Sequence, residues 1–172
     1  MKNLLLLGLA ILLSLSSCNQ KQRYTQQSPE IDTYKSAIRA YEKQNWEELA
    51  TYYADTAKIL MNVTKENAQT IAQNIAQNKE DAKLFSSWRF DPKSVEYEMV
   101  VTDKGETWVN FWEHWEGTLK ANNKTYITPV HLTARFIDGK IVREDGYWDN
   151  SKLMVDLQKL PPPPPTETTV TK

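Results

Sequence analysis

The sequence predicts an α+β domain, and a change of pattern midway along the chain is what predicts it. In the first half, apolar residues recur every three or four positions, as on one face of a helix. In the second half they alternate with polar residues, and Gly- or Asn-containing turns separate the runs, as in a set of hairpins. Helices first and a meander of long antiparallel strands after them give α+β architecture. A curved antiparallel sheet wrapped around the N-terminal helices would enclose a cavity.

The elements follow in order. Ser28 suits an N-cap, Pro29 the first helical position, and Glu30 and Asp32 the positive end of a helix carrying Ile31, Tyr34, Ile38 and Tyr41. Asn45 can cap a second, short helix, with Glu48 three residues on as in a capping box and Trp46, Leu49 and Tyr53 as the apolar stripe. Lys58 to Val63 reads as a first strand. A third helix is expected from about Lys65 to Phe85, with Ala68, Ile71, Ala72, Ile75 and Ala76 on one side and a solvated Gln/Asn-rich side opposite.

Val95, Tyr97, Met99 and Val101 then alternate up to the turn Asp103-Lys104-Gly105. Thr107 to Lys120 is a long strand with Trp108 and Trp112 on one face and Phe111 and Trp115 on the other. Asn122-Asn123 turns, since Asn tolerates positive φ. Tyr126 to Ile137 returns, Asp138-Gly139 turns again, and Lys140 to Trp148 is the last strand. Asp149 or Asn150 caps a closing helix with Leu153, Met154, Leu157 and Leu160 facing inward.

Composition narrows the function. The formal net charge is −1 over 172 residues, and −2 once Lys2 is removed with residues 1–17. A near-neutral chain lacks the basic footprint of a nucleic-acid binder. One cysteine permits neither a disulfide framework nor a thiolate metal site. Stability must therefore come from packing, for which six tryptophans and eight tyrosines supply large apolar surfaces.

That cysteine, Cys18, closes the run Leu15-Ser16-Ser17-Cys18 behind a short basic start and an apolar stretch from Leu4 to Leu15. The stretch is too short to span a bilayer, which takes about 20 residues, and reads as the core of an export signal over residues 1–17. Its end resembles the lipobox of bacterial lipoproteins. The resemblance implies cleavage before Cys18 and acylation there, so that acyl chains hold the protein on a membrane. Asn19 and Gln20 lack the Asp that marks inner-membrane retention in such proteins, which points to the outer membrane, facing the periplasm. Residues 18–28 read as a polar tether, 29–160 as the domain, and 161–172, opening on Pro161 to Pro165, as a polyproline II segment followed by a disordered tail.

Two stretches within 29–160 carry a second resemblance: Ala40-Tyr41-Glu42-Lys43-Gln44-Asn45-Trp46-Glu47-Glu48-Leu49 through Tyr53-Ala54-Asp55-Thr56-Ala57, and His131-Leu132-Thr133-Ala134-Arg135-Phe136-Ile137-Asp138-Gly139-Lys140-Ile141-Val142 through Tyr147-Trp148-Asp149-Asn150. They resemble the SnoaL-like branch of the nuclear transport factor 2-like superfamily, whose fold is a cone of curved sheet closed by helices. The ketosteroid isomerases of that superfamily place a carboxylate base, a tyrosine and a protonated acid at positions matching Met61, Ala37 and Leu132. None of these can do the chemistry, which argues against isomerase activity.

The polyketide cyclases imply an aspartate near a histidine for proton transfer beside a carbonyl; the candidates are Asp145 and His131. A three-residue loop at Ile137-Asp138-Gly139 would set His131 opposite Asp145. A two-residue turn would set it opposite Gly146, with Thr133 opposite Glu144. A count about Asn122-Asn123 pairs His114 with His131. Such a cluster could be an acid/base pair, a Zn²⁺ or Fe²⁺ site, or merely a solvated strand face.

Candidate pocket residues are Trp148, Glu144, Gly146, Leu132, His114 and Trp112. The favoured expectation is a lipid-anchored domain that binds a small apolar or aromatic molecule, needs no cofactor and no metal, and has no nucleic-acid partner. A cyclase or isomerase using Asp145 and His131 is the alternative. A third is a homodimer or interaction module built on an exposed sheet face with Trp112 and Trp115.

Overall fold

A computed structural model describes residues 23–160 of the protein. The expected signal (1–17), Cys18 and the proline tail (161–172) lie outside the described residues. Among the described residues, no helix is long and apolar enough to cross a membrane.

A two-residue strand, β1 (Tyr24–Thr25), opens the domain. Helix α1 (Pro29–Glu42) starts where Ser28 accepts a hydrogen bond from the Ile31 amide, and it buries Ile31, Tyr34, Ala37, Ile38 and Ala40. Helix α2 (Trp46–Thr51) is capped by Asn45, which accepts from the Glu48 amide. Strand β2 (Tyr53–Met61) begins five residues before the expected Lys58, so that Tyr53 is a strand residue.

The third helix is shorter than its apolar pattern suggests. Lys65–Asn67 form a 3₁₀ turn, and Gln69 exchanges two backbone hydrogen bonds with Ile59, 2.9 Å each, which keeps it out of any helix. Helix α3 (Ile71–Leu84) starts only after the capping box of Thr70 and Gln73. Its Gln/Asn side is not wholly solvated, because Asn74 is buried.

Phe85, expected as the end of that helix, instead opens strand β3 (Phe85–Phe90). Glu42 at the end of α1 accepts from the Phe90 amide at 2.7 Å and ties β3 to the helical layer. The remaining strands are β4 (Glu96–Val101), β5 (Thr107–Leu119), β6 (Lys124–Ile137) and β7 (Lys140–Trp148); helix α4 (Ser151–Gln158) follows.

The expected tether is partly docked. Strand β1 lies antiparallel to β4, and Arg23 exchanges hydrogen bonds with Val101 and pairs with Asp103 at 2.7 Å. The folded domain thus includes residues from about 23 onward, not from 29.

The sheet runs β1-β4-β5-β6-β7-β2, with β3 also on β5. It is mixed rather than a pure antiparallel meander, because β2 lies parallel to β7. The long strand β5 carries β4 along one half and β3 along the other. The sheet is curved and unclosed, and its inner face packs on the helices. Tyr34 meets Tyr97, Phe111 and Phe136 edge-on at 6.3–6.4 Å. A second cluster, Phe85, Leu119 and Tyr126, is covered by Leu153, Leu157 and Leu160 at and just beyond α4.

Two local features set the register of the last strands. The Asp138-Gly139 turn is a two-residue turn with φ 49° and 73°, pairing Ile137 with Lys140. Val142 is then an extra residue, a bulge between the pairs Phe136–Ile141 and Arg135–Arg143. The resulting partners are Thr133 with Asp145 and His131 with Tyr147, which neither expected register produces. At the other turn Leu119 pairs with Lys124, so Trp112, not His114, lies opposite His131. Pro129 does not bulge β6, for the pairing runs unbroken from Thr107–Phe136 to Leu119–Lys124.

Candidate functional site

The helices and the inner face of the sheet enclose a cavity of about 310 Å³. Ala37, Ile38 and Tyr41 of α1 line one side; Val130 and Leu132 of β6 line the opposite side. Asn74, Asn78 and Asp81 of α3 contribute polar groups, and Leu153, Met154 and Leu157 of α4 cover the space from the C-terminal end. The aromatic wall comes largely from Trp88, Trp115 and Trp148.

Trp148 is held by Asn62, which takes a left-handed conformation (φ 55°) just past β2. The Asn62 side-chain amide donates to the Trp148 carbonyl at 2.9 Å, and its side-chain oxygen accepts from the Trp148 backbone N–H at 3.2 Å. Trp88 is held from the helical side, where Tyr41 of α1 stacks on it at 5.4 Å.

One buried carboxyl faces this space. Glu144 of β7 is 2 % exposed and lines the cavity. Its Oε1 accepts from the Tyr34 hydroxyl and its Oε2 from the Tyr53 hydroxyl at 2.7 Å. Burial pushes the Glu144 carboxyl above its ordinary range; the two tyrosine hydrogen bonds act against that shift, and the Asp145 charge adds to it. Burial foremost, then the Glu144 charge, raises both tyrosines well above their ordinary value, so both remain donors. Among the described residues, the buried Trp88 and Trp115 indole N–H groups have no hydrogen-bond acceptor.

The candidate residues from the sequence divide between two faces. Glu144, Leu132 and Trp148 line the cavity, as do Met61 and Ala37 at the positions matched to the isomerases. Gly146 sits beside it without leaving room. A Cβ there would fall 2.5 Å from Met61 Sδ, 2.8 Å from the Trp148 ring and 2.9 Å from Leu132. The glycine allows close packing of the wall.

His131, His114 and Trp112 lie on the outer face, where they line a shallow groove with Glu96, Glu98 and Tyr147. Cross-strand register sets Glu96, Trp112, His131 and Tyr147 in one row. The His131 ring stacks on Trp112 at 4.8 Å, and its Nδ1, assigned as the donor, reaches the Phe111 carbonyl at 3.2 Å. Asp145 lies in the neighbouring row with Thr133, gripped by Arg143 through two hydrogen bonds of 2.7 Å. His131 and Asp145 are therefore not brought together in the cavity. Among the described residues, no group of three His, Cys, Asp or Glu side chains converges as a metal site would require.

Sequence reading missed Tyr34 and Tyr53 as the partners of Glu144. Both were legible only as apolar-face residues, and they lie 110 and 91 positions from the carboxyl they meet.

No family model and no curated protein matches the sequence. Solved structures do match the fold. A candidate polyketide cyclase from Xanthomonas campestris pv. campestris aligns at TM-score 0.62 and 12% identity, covering 76% of this chain and 98% of that one. A SnoaL-like polyketide cyclase from Agrobacterium tumefaciens str. C58 aligns at 0.57 and 16%, covering 76% and 99%. A nuclear transport factor 2-like protein of unknown function from Burkholderia pseudomallei K96243 aligns at 0.60 and 11%, covering 75% and 97%. The domain has the SnoaL-like, nuclear transport factor 2-like fold. At these identities the likeness concerns the fold alone, and a shared fold does not dictate activity.

Proposed function

We propose that this protein is a lipid-anchored component of a bacterial cell envelope whose domain binds a small apolar or aromatic molecule in its internal cavity. The cavity itself carries the reading: about 310 Å³ of space walled by tryptophan, tyrosine and aliphatic side chains, with Glu144 as its buried carboxyl. That is the small end of the ~300–1,000 Å³ range of ligand pockets, which suits a compact one- or two-ring molecule better than an acyl chain. The cyclase alternative has less support, since His131 and Asp145 lie outside the cavity and are engaged elsewhere.

Native mass spectrometry of the protein purified from its own host tests the binding reading. A co-purifying small molecule is the expected result. A domain that arrives empty, and whose tryptophan fluorescence no member of a hydrophobic library alters, would refute it. The anchor rests on the lipobox-like run ending at Cys18 and has its own test. Cys18→Ala should move the protein from the membrane fraction to the soluble or precursor pool, and unchanged membrane retention of a cleaved protein would exclude acylation there.

A second reading concerns the outer face. Trp112 and Tyr147 are exposed, the latter by 56 %, in one row with His131. An exposed aromatic row of this kind suits pairing of two copies. Sedimentation of the wild type against Trp112→Glu decides it: a concentration-dependent dimer lost in the variant supports pairing, and a monomer throughout excludes it.

A further inference from the structure

We propose that the cavity prefers a compact aromatic or alicyclic amine, a hydrophobic cation, over the neutral or acidic molecule of the same shape. This rests on the binding reading above and adds the charge of the ligand. Three observations of different kinds agree on it.

The first is the charge inventory. Two carboxyl groups, Glu144 and Asp81, line the cavity, and among the described lining residues there is no lysine, arginine or histidine. An anionic ligand would meet like charge with nothing to offset it. Like charges a few ångströms apart repel, and more strongly in a protein site than in bulk water.

The second is the direction of the polar groups. Tyr34 and Tyr53 each have one hydroxyl proton, and both are committed to Glu144. What remains at that end of the cavity is lone pairs. On α3, the Asn74 amide donates one N–H to Gln69 at 3.2 Å and the Asn78 amide donates one to Asn74 at 3.1 Å, so one of the two donors of each is in use. An ammonium group brings donors and no acceptors, which is the complement of the Glu144 end of the cavity.

The third is the wall. Tyr41, Tyr53, Trp88, Trp115 and Trp148 put electron-rich rings around the space. A cation placed over the face of such a ring is attracted by its quadrupole, the more strongly the less water it keeps. An ammonium drawn to Glu144 would also favour the ionised carboxylate and offset the effect of burial.

The test uses three naphthalenes of matched shape: 1-naphthylmethylamine, 1-naphthalenemethanol and 1-naphthoic acid, each titrated into the purified protein at neutral pH by calorimetry. The amine should bind about tenfold tighter than the alcohol, the difference one well-placed charge interaction makes, and the acid should bind weakest. Glu144→Gln keeps the side-chain shape and removes the charge, so the amine-to-alcohol ratio should fall towards one while the alcohol is little affected. Should that variant fail to fold, Asp81→Asn at the α3 side should lower the same ratio, and the wild-type ranking stands by itself. An acid that binds as tightly as the amine would overturn the inference, as would a ratio unchanged in Glu144→Gln. Alcohol binding without amine preference refutes the charge assignment and leaves the cavity reading intact; binding of none of the three refutes both.

Discussion

Replacing Gly117 with alanine drives a methyl group into the Trp115 indole. The new Cβ would press hardest on Cη2, and would stand 2.5 Å from Cζ3 and 2.7 Å from Cζ2 of that ring. Carbon atoms rest about 3.5–4.0 Å apart, so the ring must retreat by at least roughly 1 Å. All three atoms belong to one rigid plane, and no small rotation of a flexible tip relieves the clash. Trp115 is also confined by Phe85, which it meets edge-on at 5.1 Å. Overpacking of this kind costs about 1–3 kcal/mol, and loss of the aromatic pair adds about 0.5–1.5. Removing a glycine from a strand interior returns about 0.5–1, and Gly117 does not have a positive φ, so no backbone strain arises.

The net cost is about 2 kcal/mol, or a fall in Tm of about 4–8 °C for a domain of this size. Urea unfolding followed by tryptophan fluorescence measures it. The same substitution in a Trp115→Leu background should cost little, because the ring that clashes has gone. A wild-type-like midpoint for Gly117→Ala, or an equal cost in both backgrounds, would refute the packing argument.

Two further outcomes follow from the site and its supports. Because burial raises Glu144 in the folded state above its ordinary 4.5, its protonated form is favoured by folding. Its contribution is complete below the unfolded pKa and is lost as pH rises through the folded one. Stability of the wild type relative to Glu144→Gln should therefore decline as pH rises above the ordinary carboxylate range in denaturant titrations, and a relative gain there would mean that the tyrosine hydrogen bonds outweigh burial. Asn62→Ala removes both contacts to the Trp148 backbone and places a Cβ residue with no polar side chain at φ 55°. About 1–2 kcal/mol of destabilisation is expected, with a changed near-UV circular dichroism from Trp148; unaltered stability would show that β7 holds this residue unaided.

Local signals were read correctly where one segment contained all the physics. Ser28 and Asn45 cap their helices, Gly105, Asn123 and Asp138-Gly139 turn with positive φ, and β5 presents Phe111 inward and Trp112 outward. The capping box at Thr70 and Gln73 was equally legible, but the apolar pattern upstream of it hid the true start of α3. Strand β3 was missed, with Phe85 read as the end of a helix, because nothing within that segment reveals that β5 is long enough to pair with two strands on one edge.

The class of fold, most element positions and the core-facing side of each long strand follow from the chain's local chemistry, since caps, turns and side-chain period act over a few residues. Register came from tertiary packing instead. The Val142 bulge moved His131 opposite Tyr147, and the longer turn before Lys124 moved His114 away from it. A one-residue offset redirects whole rows of side chains, so the expected histidine–aspartate pair was never assembled. Packing also brought Tyr34 and Tyr53 to Glu144 across 110 and 91 residues. Burial of that carboxyl depends on the whole domain closing around it, and no local pattern encodes that.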